Sequence, residues 1–505
     1  WGGLKDGAKP NPGFHVFNLI VHLVAAAALY GIVRRTLLTE RLRGRFAAAS
    51  APLAAAVAGL WAVHPLTTQA VTYVVQRGES MMAAFFLLVL YCSIRGRSAR
   101  WAWAAVLWYA GSLVACAAGM ASKEVMVVAP IAVGLYHLVF DVRPAGQPGR
   151  GIAPLCVHLV SLAATWLLLA ALVQGWGDLP GVPPPEDARA GFGTEGLTPW
   201  LYARTQFPVL LYYFKLTFWP GRLCLDYGWE PVAKPLQWVP HAVAVLALLG
   251  ASVYGLFRRK AAGFAGFVFF LILAPTSTIL PIEDVIFEHR MYLPLVAVVS
   301  MVVLGGWWLV GAVSARVGEQ GRSRPALPWA FVALVALAGV ALTWRTLVRN
   351  WTYCDAIAMY KDVLKTNPDS YRVHGNLGKA YYDTAETIDD EARSEALIRR
   401  AMEHHRHAIG LKEDYGIGMY NMGLAHQTLG QDEKAIKWYL RALKVHPWLD
   451  SAYLNIGVIH TNRNEYDRAA LMYKEALRVD PQNVLAMANL GRILLARGQR
   501  ERAAG

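Results

Sequence analysis

The sequence predicts an all-α protein in two parts, a polytopic helical membrane domain over residues 1–350 and an α-solenoid of paired helices over residues 351–505. Three observations predict it. Apolar runs long enough to cross a bilayer recur up to about residue 346. Lys and Arg crowd into alternate loops between those runs. From residue 416 the chain then repeats itself with a period of 34 residues.

The composition supports the first part. Only 17% of the 505 residues are charged and 55% are hydrophobic, a balance that excludes an ordinary soluble domain of this length. The net charge of +14 would suggest nucleic acid if it clustered on a soluble face. It does not, so no nucleic-acid partner is expected. The spacing of the five Cys predicts no disulfide. The opening Trp1 carries no charged leader or cleavage site behind it, so the sequence reads as starting partway through a protein and stopping within a repeat.

Ten runs are candidate spans: 14–33, 46–63, 79–94, 101–119, 124–140, 152–173, 238–257, 263–281, 292–313 and 327–346. The loops at 34–45, 95–100, 141–151, 258–262 and 314–326 hold 16 Lys and Arg against three acids, which places them in the cytoplasm. The opposite-side segments up to residue 291 hold ten basic and twelve acidic residues. This alternation works only if a further run at 200–219 makes no net crossing. Within the outer segment 174–237 it is expected to lie along the interface or re-enter, a depth that suits Trp200, Tyr202, Tyr212, Tyr213, Phe218 and Trp219. The same parity puts 1–13, 64–78, 282–291 and the repeats outside.

In the repeats, Gly423, Gly457 and Gly491 fall in register, as do Ala435 with Ala469, Tyr439 with Tyr473, and Pro447 with Pro481. Small residues let paired helices approach, the Tyr fills the layer between them, and Pro closes the unit. This is the tetratricopeptide pattern. A half-repeat spans 351–368, and repeats start at 371, 416, 450 and 484, the last incomplete. Asn376, Asn421, Asn455 and Asn489 hold one position in successive repeats. Stacked, they would form an amide ladder able to pair with the backbone of an acceptor polypeptide. Bonding within their own turns is the alternative.

Ionisable groups near hydrocarbon are expected to pair or to serve function. Several converge on the outer side: His15, Asn18 and His22 on one face of the first helix, then His64, Arg77 and Glu79, then Lys123 and Glu124, then Glu288, Arg290 and Tyr292. The functional reading is an anion site in which His64, Arg77, Lys123 and Arg290 hold a lipid phosphate. Snorkelling and internal pairs such as Arg77–Glu79 are the alternative. His15 and His22 are two turns apart, about 10 Å of rise, and do not share a metal ion. No metal site is expected, and no phosphate loop or nucleophile elbow supports ATP or serine-hydrolase chemistry.

The segments GFHVFNLIVHL, HPLTTQAVTYVVQRGES, GMASKE, LCLDY and FEHRMYLP, in this order and followed by the repeats, resemble the TMTC family of transmembrane O-mannosyltransferases and their bacterial relatives. The resemblance implies the GT-C glycosyltransferase fold. It implies transfer of a sugar from a polyprenyl-phosphate carrier, without metal or other cofactor, to protein Ser or Thr hydroxyls at the periplasmic or lumenal face of a bacterial inner membrane or its equivalent. The family's acidic catalytic motif would precede Trp1. The family pattern has Glu where this chain has Gln69, and Arg where it has His289. Arg77 and Lys123 are expected to stabilise the leaving phosphate, with Glu79 and Glu124 orienting them. A membrane-anchored scaffold docking partners through its repeats is the non-enzymatic alternative. A transporter would need polar residues through mid-span, and runs 101–118 and 327–343 carry no charge beyond their ends.

Overall fold

The apolar runs fold as helix, because long stretches of Ala, Leu and Val satisfy their backbone polar groups internally; the run expected at 263–281 is helical only over Ala261–Leu273. The computed structural model describes residues 12–73, 76–140, 152–177, 197–221, 223–278, 281–282, 284–319 and 327–496. Two compact units result, divided after Tyr353.

The first unit contains α1 (Pro12–Leu37), α2 (Ser50–Ala62), α3 (Arg77–Arg97), α4 (Ala102–Met120), α5 (Ala129–Phe140), α6 (Ala153–Gly177), α7 (Pro199–Phe218), α8 (Pro235–Phe257), α9 (Ala261–Leu273), α10 (Leu295–Glu319) and α11 (Leu327–Tyr353). Among the described residues eight helical segments are long and apolar enough to cross a membrane, with two shorter apolar segments at Glu124–Phe140 and Ala261–Leu273. Large apolar side chains on their outer faces, such as Val160 and Leu167 on α6 and Leu337 and Val340 on α11, point away from the protein. An apolar exterior of this extent needs lipid around it. Helices α8 and α9 pack backbone to backbone: a Cβ on Gly263 would collide with the main chain of Gly255.

Helix α7 departs from the expectation of an interfacial segment in one respect. Its Tyr202 and Tyr213 are fully buried, not at headgroup depth, while Trp200, Phe218 and Trp219 are exposed. The reason is hydrogen bonding. Tyr202 donates to the Thr276 carbonyl at 2.5 Å and Tyr213 to the Phe287 carbonyl at 2.8 Å. From its first turn to its last, α7 touches inter-helix segments: Gln206 donates to Val285, and the Thr217 carbonyl meets His64. Its rings also stack on the neighbouring helices, Phe207 on Trp238 of α8 and Phe214 on Phe269 of α9.

The second unit stacks α12 (Ala356–Leu364), α13 (Tyr371–Ala385), α14 (Glu391–Leu411), α15 (Gly416–Thr428), α16 (Asp432–Val445), α17 (Asp450–Asn462), α18 (Tyr466–Val479) and α19 (Val484–Ala496). A Cβ on Gly423 would press into the ring of Tyr439, and one on Gly457 into Tyr473. In the first full repeat His405 takes the place of that Tyr, facing Gly378, and burial pushes its imidazole pKa down to about 3. Between paired helices the chain turns through a left-handed residue, Gly430 at φ 67° and Asn464 at φ 59°. Gly and Asn tolerate that conformation, which explains their shared register.

Candidate functional site

The five sequence motifs, spread over nearly 280 residues, meet at one end of the helical bundle. Asn18 of α1 donates to the Val71 carbonyl at 3.0 Å, tying the first motif to the second. His22, one turn on, is 2.6 Å from the Tyr292 hydroxyl and 3.0 Å from the Ala62 carbonyl. A carbonyl only accepts, so Nε2 carries the proton and Nδ1 accepts from Tyr292. Trp61 Nε1 closes the same corner by donating to the Tyr292 carbonyl at 2.8 Å. His15 is half-buried on the same helix, about two turns before His22.

The next layer is ionic. Lys123, which follows the end of α4, pairs with Glu79 in the first turn of α3. The pair expected within the second motif, Arg77–Glu79, is not the one formed. Arg77 is exposed and lies over the Phe14 ring at 5.2 Å. Glu124 is exposed beside the Lys123–Glu79 pair. His289 reaches the pair from the far side, with Nε2 3.8 Å from the Glu79 carboxylate. Its backbone N–H and Nδ1 both meet the Gln69 side-chain oxygen, at 2.8 and 3.1 Å. Gln69 and His289, two of the positions where the resemblance leads one to expect another residue, are bonded to each other. A neutral pair thus stands where the pattern has an acid and a base. Burial, with Lys123 and Arg290 nearby, holds the His289 imidazole well below its ordinary pKa.

Two expected phosphate ligands are spent on the protein itself. Arg290 is buried and donates to the Tyr202 hydroxyl and to the carbonyls of Thr276, Val285 and Asp284, at 3.1–3.4 Å. His64 caps the turn after α2: its Nδ1 accepts from the Leu66 N–H, so Nε2 donates to the Thr217 carbonyl. Burial lowers its pKa to about 4, so it carries no charge at neutral pH. Both residues position segments of the site. Of the other two expected cations, Arg77 is exposed and Lys123 is half-buried against Glu79.

The last layer was not anticipated from the motifs. Glu288 is fully buried and closes a network from three directions. Arg349 of α11 donates to its Oε2 at 2.7 Å, while the Tyr227 hydroxyl and the Cys224 N–H reach Oε1 at 2.7 and 2.5 Å. This joins the LCLDY and FEHRMYLP motifs to the last membrane helix. The available signal was the pair Arg345 and Arg349, four apart and so on one helical face, within an otherwise apolar helix. All five cysteines are free.

In the repeats the four Asn are not equivalent. Asn376 is exposed and Asn421 half-buried. Asn455 donates to the hydroxyls of Tyr420 and Tyr439 at 3.2 and 3.3 Å, and Asn489 accepts from Arg492. The second half of the ladder is thus engaged within the solenoid.

Comparison with known proteins follows the same division. Tetratricopeptide-repeat family models match residues 418–447 and 463–505. The chain is 24% identical over 467 residues to "Protein O-mannosyl-transferase TMTC3" of Mus musculus, covering 86% of this chain and 46% of that protein. It is 25% identical over 446 residues to "Protein O-mannosyl-transferase TMTC4" of Homo sapiens, covering 78% of this chain and 55% of that protein. The chain is similar to several proteins that carry the name protein O-mannosyl-transferase. It spans about half the length of the curated relatives it matches. Among solved structures, MamA is 24% identical, with a TM-score of 0.26 over 29% of this chain and 80% of that one. A thermophilic tetratricopeptide protein of Thermus thermophilus is 16% identical, with a TM-score of 0.27 over 37% of this chain and 98% of that one.

Proposed function

We propose that the protein is a membrane glycosyltransferase that moves a sugar from a polyprenyl-phosphate carrier to Ser or Thr hydroxyls of a polypeptide, on the periplasmic or lumenal side, with the repeats holding the acceptor. The observation that carries this reading is the meeting of all five motifs shared with the transferase family at one end of the bundle, around the Lys123–Glu79 pair. In the reaction the acceptor oxygen bonds to the sugar's anomeric carbon while the bond from that carbon to the phosphate oxygen breaks. Lys123 and Arg77 meet the negative charge that develops on the departing phosphate. The hydroxyl proton goes to a carboxylate other than Glu79 and Glu288, because the first is held against Lys123 and the second is closed by Arg349 and Tyr227. The repeats follow Tyr353 directly in the chain, which supports their lying on the same side as the end of α11.

The test is lipid-linked sugar transfer by the full-length protein, with Lys123→Ala and Arg77→Ala. Rates should fall at least about tenfold for each, the loss of one charge-assisted contact in the transition state. Unchanged rates in both would remove them from the site. If Asn376→Ala and Asn421→Ala abolish partner binding while the cation variants behave as wild type, the scaffold reading stands instead. Accessibility of cysteines introduced at Lys123 and in α15 decides sidedness: labelling from opposite compartments sinks the proposal.

A further inference from the structure

Four of the chain's 14 histidines, His374, His404, His405 and His407, fall in the first full repeat, and three of them meet across its helix pair. His374 of α13 is buried. Its Nε2 is 2.9 Å from the Pro368 carbonyl, and its Nδ1 is 3.0 Å from Nδ1 of His404 on α14. A carbonyl only accepts, so Nε2 carries the His374 proton and Nδ1 accepts from His404. This link between the helices exists only while His374 is neutral, because a second proton would set two N–H groups against each other. The exposed His407 ring packs on His374 with centroids 4.2 Å apart, so a charge on one opposes a charge on the other. His405 lies 34 residues before Tyr439 and fills the layer that Tyr fills later. It is fully buried, and its Nδ1 has no hydrogen-bond partner among the described residues.

The surroundings do little to stabilise added charge. The acids at the cluster are Asp369, before α13, and Glu403 of α14, and both are exposed, where water and salt screen them. The cations are Lys361 of α12 and Lys379 of α13, the second paired with Asp383. Tyr381 stacks on His404, and towards α15 stand Arg406 and His426. The later repeats are built otherwise. Tyr439 bonds to Gln427 and Tyr473 to Thr461, and neither ring gains a proton between pH 7 and 5. Two of their histidines face oxygen, His426 the Gln431 amide at 2.9 Å and His460 the Glu465 carboxylate at 2.8 Å. A charged imidazole donates to such partners as well as a neutral one does.

We propose that the first full repeat is a pH-sensitive joint, in which mild acidification protonates the histidine cluster and separates α13 from α14 while the later repeats stay closed. The opening breaks the solenoid between α12 and the repeats that follow, so pH sets whether they are held in line with it. Burial holds His374, His404 and His405 below the ordinary imidazole value. The open repeat therefore takes up protons that the closed one refuses, and opening gains as pH falls through about 6.5. His405 alone, held at about 3 when closed, raises the opening constant about 25-fold between pH 7 and 5.

The test is hydrogen exchange on the full-length protein in nanodiscs at pH 7 and pH 5, corrected for the intrinsic pH dependence of exchange. Protection in peptides of α13 and α14 should fall at least about 25-fold, and protection in α17 and α18 should hold. In the double variant His374→Gln with His405→Tyr the fall should shrink to about threefold or less. Should that variant lack protection already at pH 7, His405→Tyr alone decides, since it must shrink the fall by about 25-fold. Equal protection of α13 and α14 at both pH values overturns the joint. So does an equal loss in α17 and α18, or a fall that persists in the variants.

Discussion

The two ends of the membrane unit handle positive charge in opposite ways. At one end Arg34 and Arg35 close α1, Arg95 and the buried Arg97 close α3, and Arg258 to Lys260 follow α8. The contacts there are peripheral: Arg95 lies over the Trp108 ring at 4.2 Å, and Arg41 donates to the Arg259 carbonyl at an exposed site. At the other end Arg290 and Arg349 are buried and Lys123 is held by Glu79. The first set is suited to lipid headgroups and water, and complements the helix C-termini it sits on. The second set is held by the protein itself. The difference teaches where to look for function: Arg290 and Arg349 are drawn in and given partners at the site, whereas at the far end the cations other than Arg97 stay within reach of water.

Substitutions can break or sharpen this contrast. The largest effect is expected from Arg349→Ala, which leaves Glu288 buried without its cation. A cost of about 3–5 kcal/mol follows for breaking such a pair, read as a loss of thermal stability in detergent. Next comes pH. His64 is neutral in the folded protein with a pKa of about 4, against an ordinary 6.5. Below pH 6.5 the unfolded chain takes up a proton that the folded chain refuses, so its contribution is complete above that pH and is lost as pH falls toward 4. Moving from pH 7 to 5 should cost about 2 kcal/mol at this residue. His64→Asn should flatten that part of the stability profile, and an unchanged profile would show that His64 does not titrate as described. The smallest effect belongs to the opposite end. Arg41→Ala should change stability by no more than about 0.5 kcal/mol, since its bond is exposed. A larger loss there would erase the contrast.

Much of this was legible in the chain. The repeat register followed from Gly and Tyr spacing, because each pair of helices can approach only where Gly423 or Gly457 faces the Tyr ring. The cluster of polar residues at one level followed from the parity of basic loops. Other features were not legible. His64 and Arg290 were read as phosphate ligands from their charge type and their shared level at the outer face, yet they bond to carbonyls of α7 and of the segments around α9 and α10. Arg349 went unread because its partner Glu288 is 61 residues away. In the same way, Tyr202 and Tyr213 looked interfacial until their carbonyl acceptors came into view.

By itself the sequence determined the all-helical class, the apolar segments and the 34-residue repeat. These depend on local periodicity and on transfer from water to lipid, both of which are properties of short stretches. Tertiary structure alone decided which carboxylate meets which cation and which histidines are neutral. Those depend on groups brought together across hundreds of residues, where burial and a partner's position set the charge state, and no short stretch contains that information.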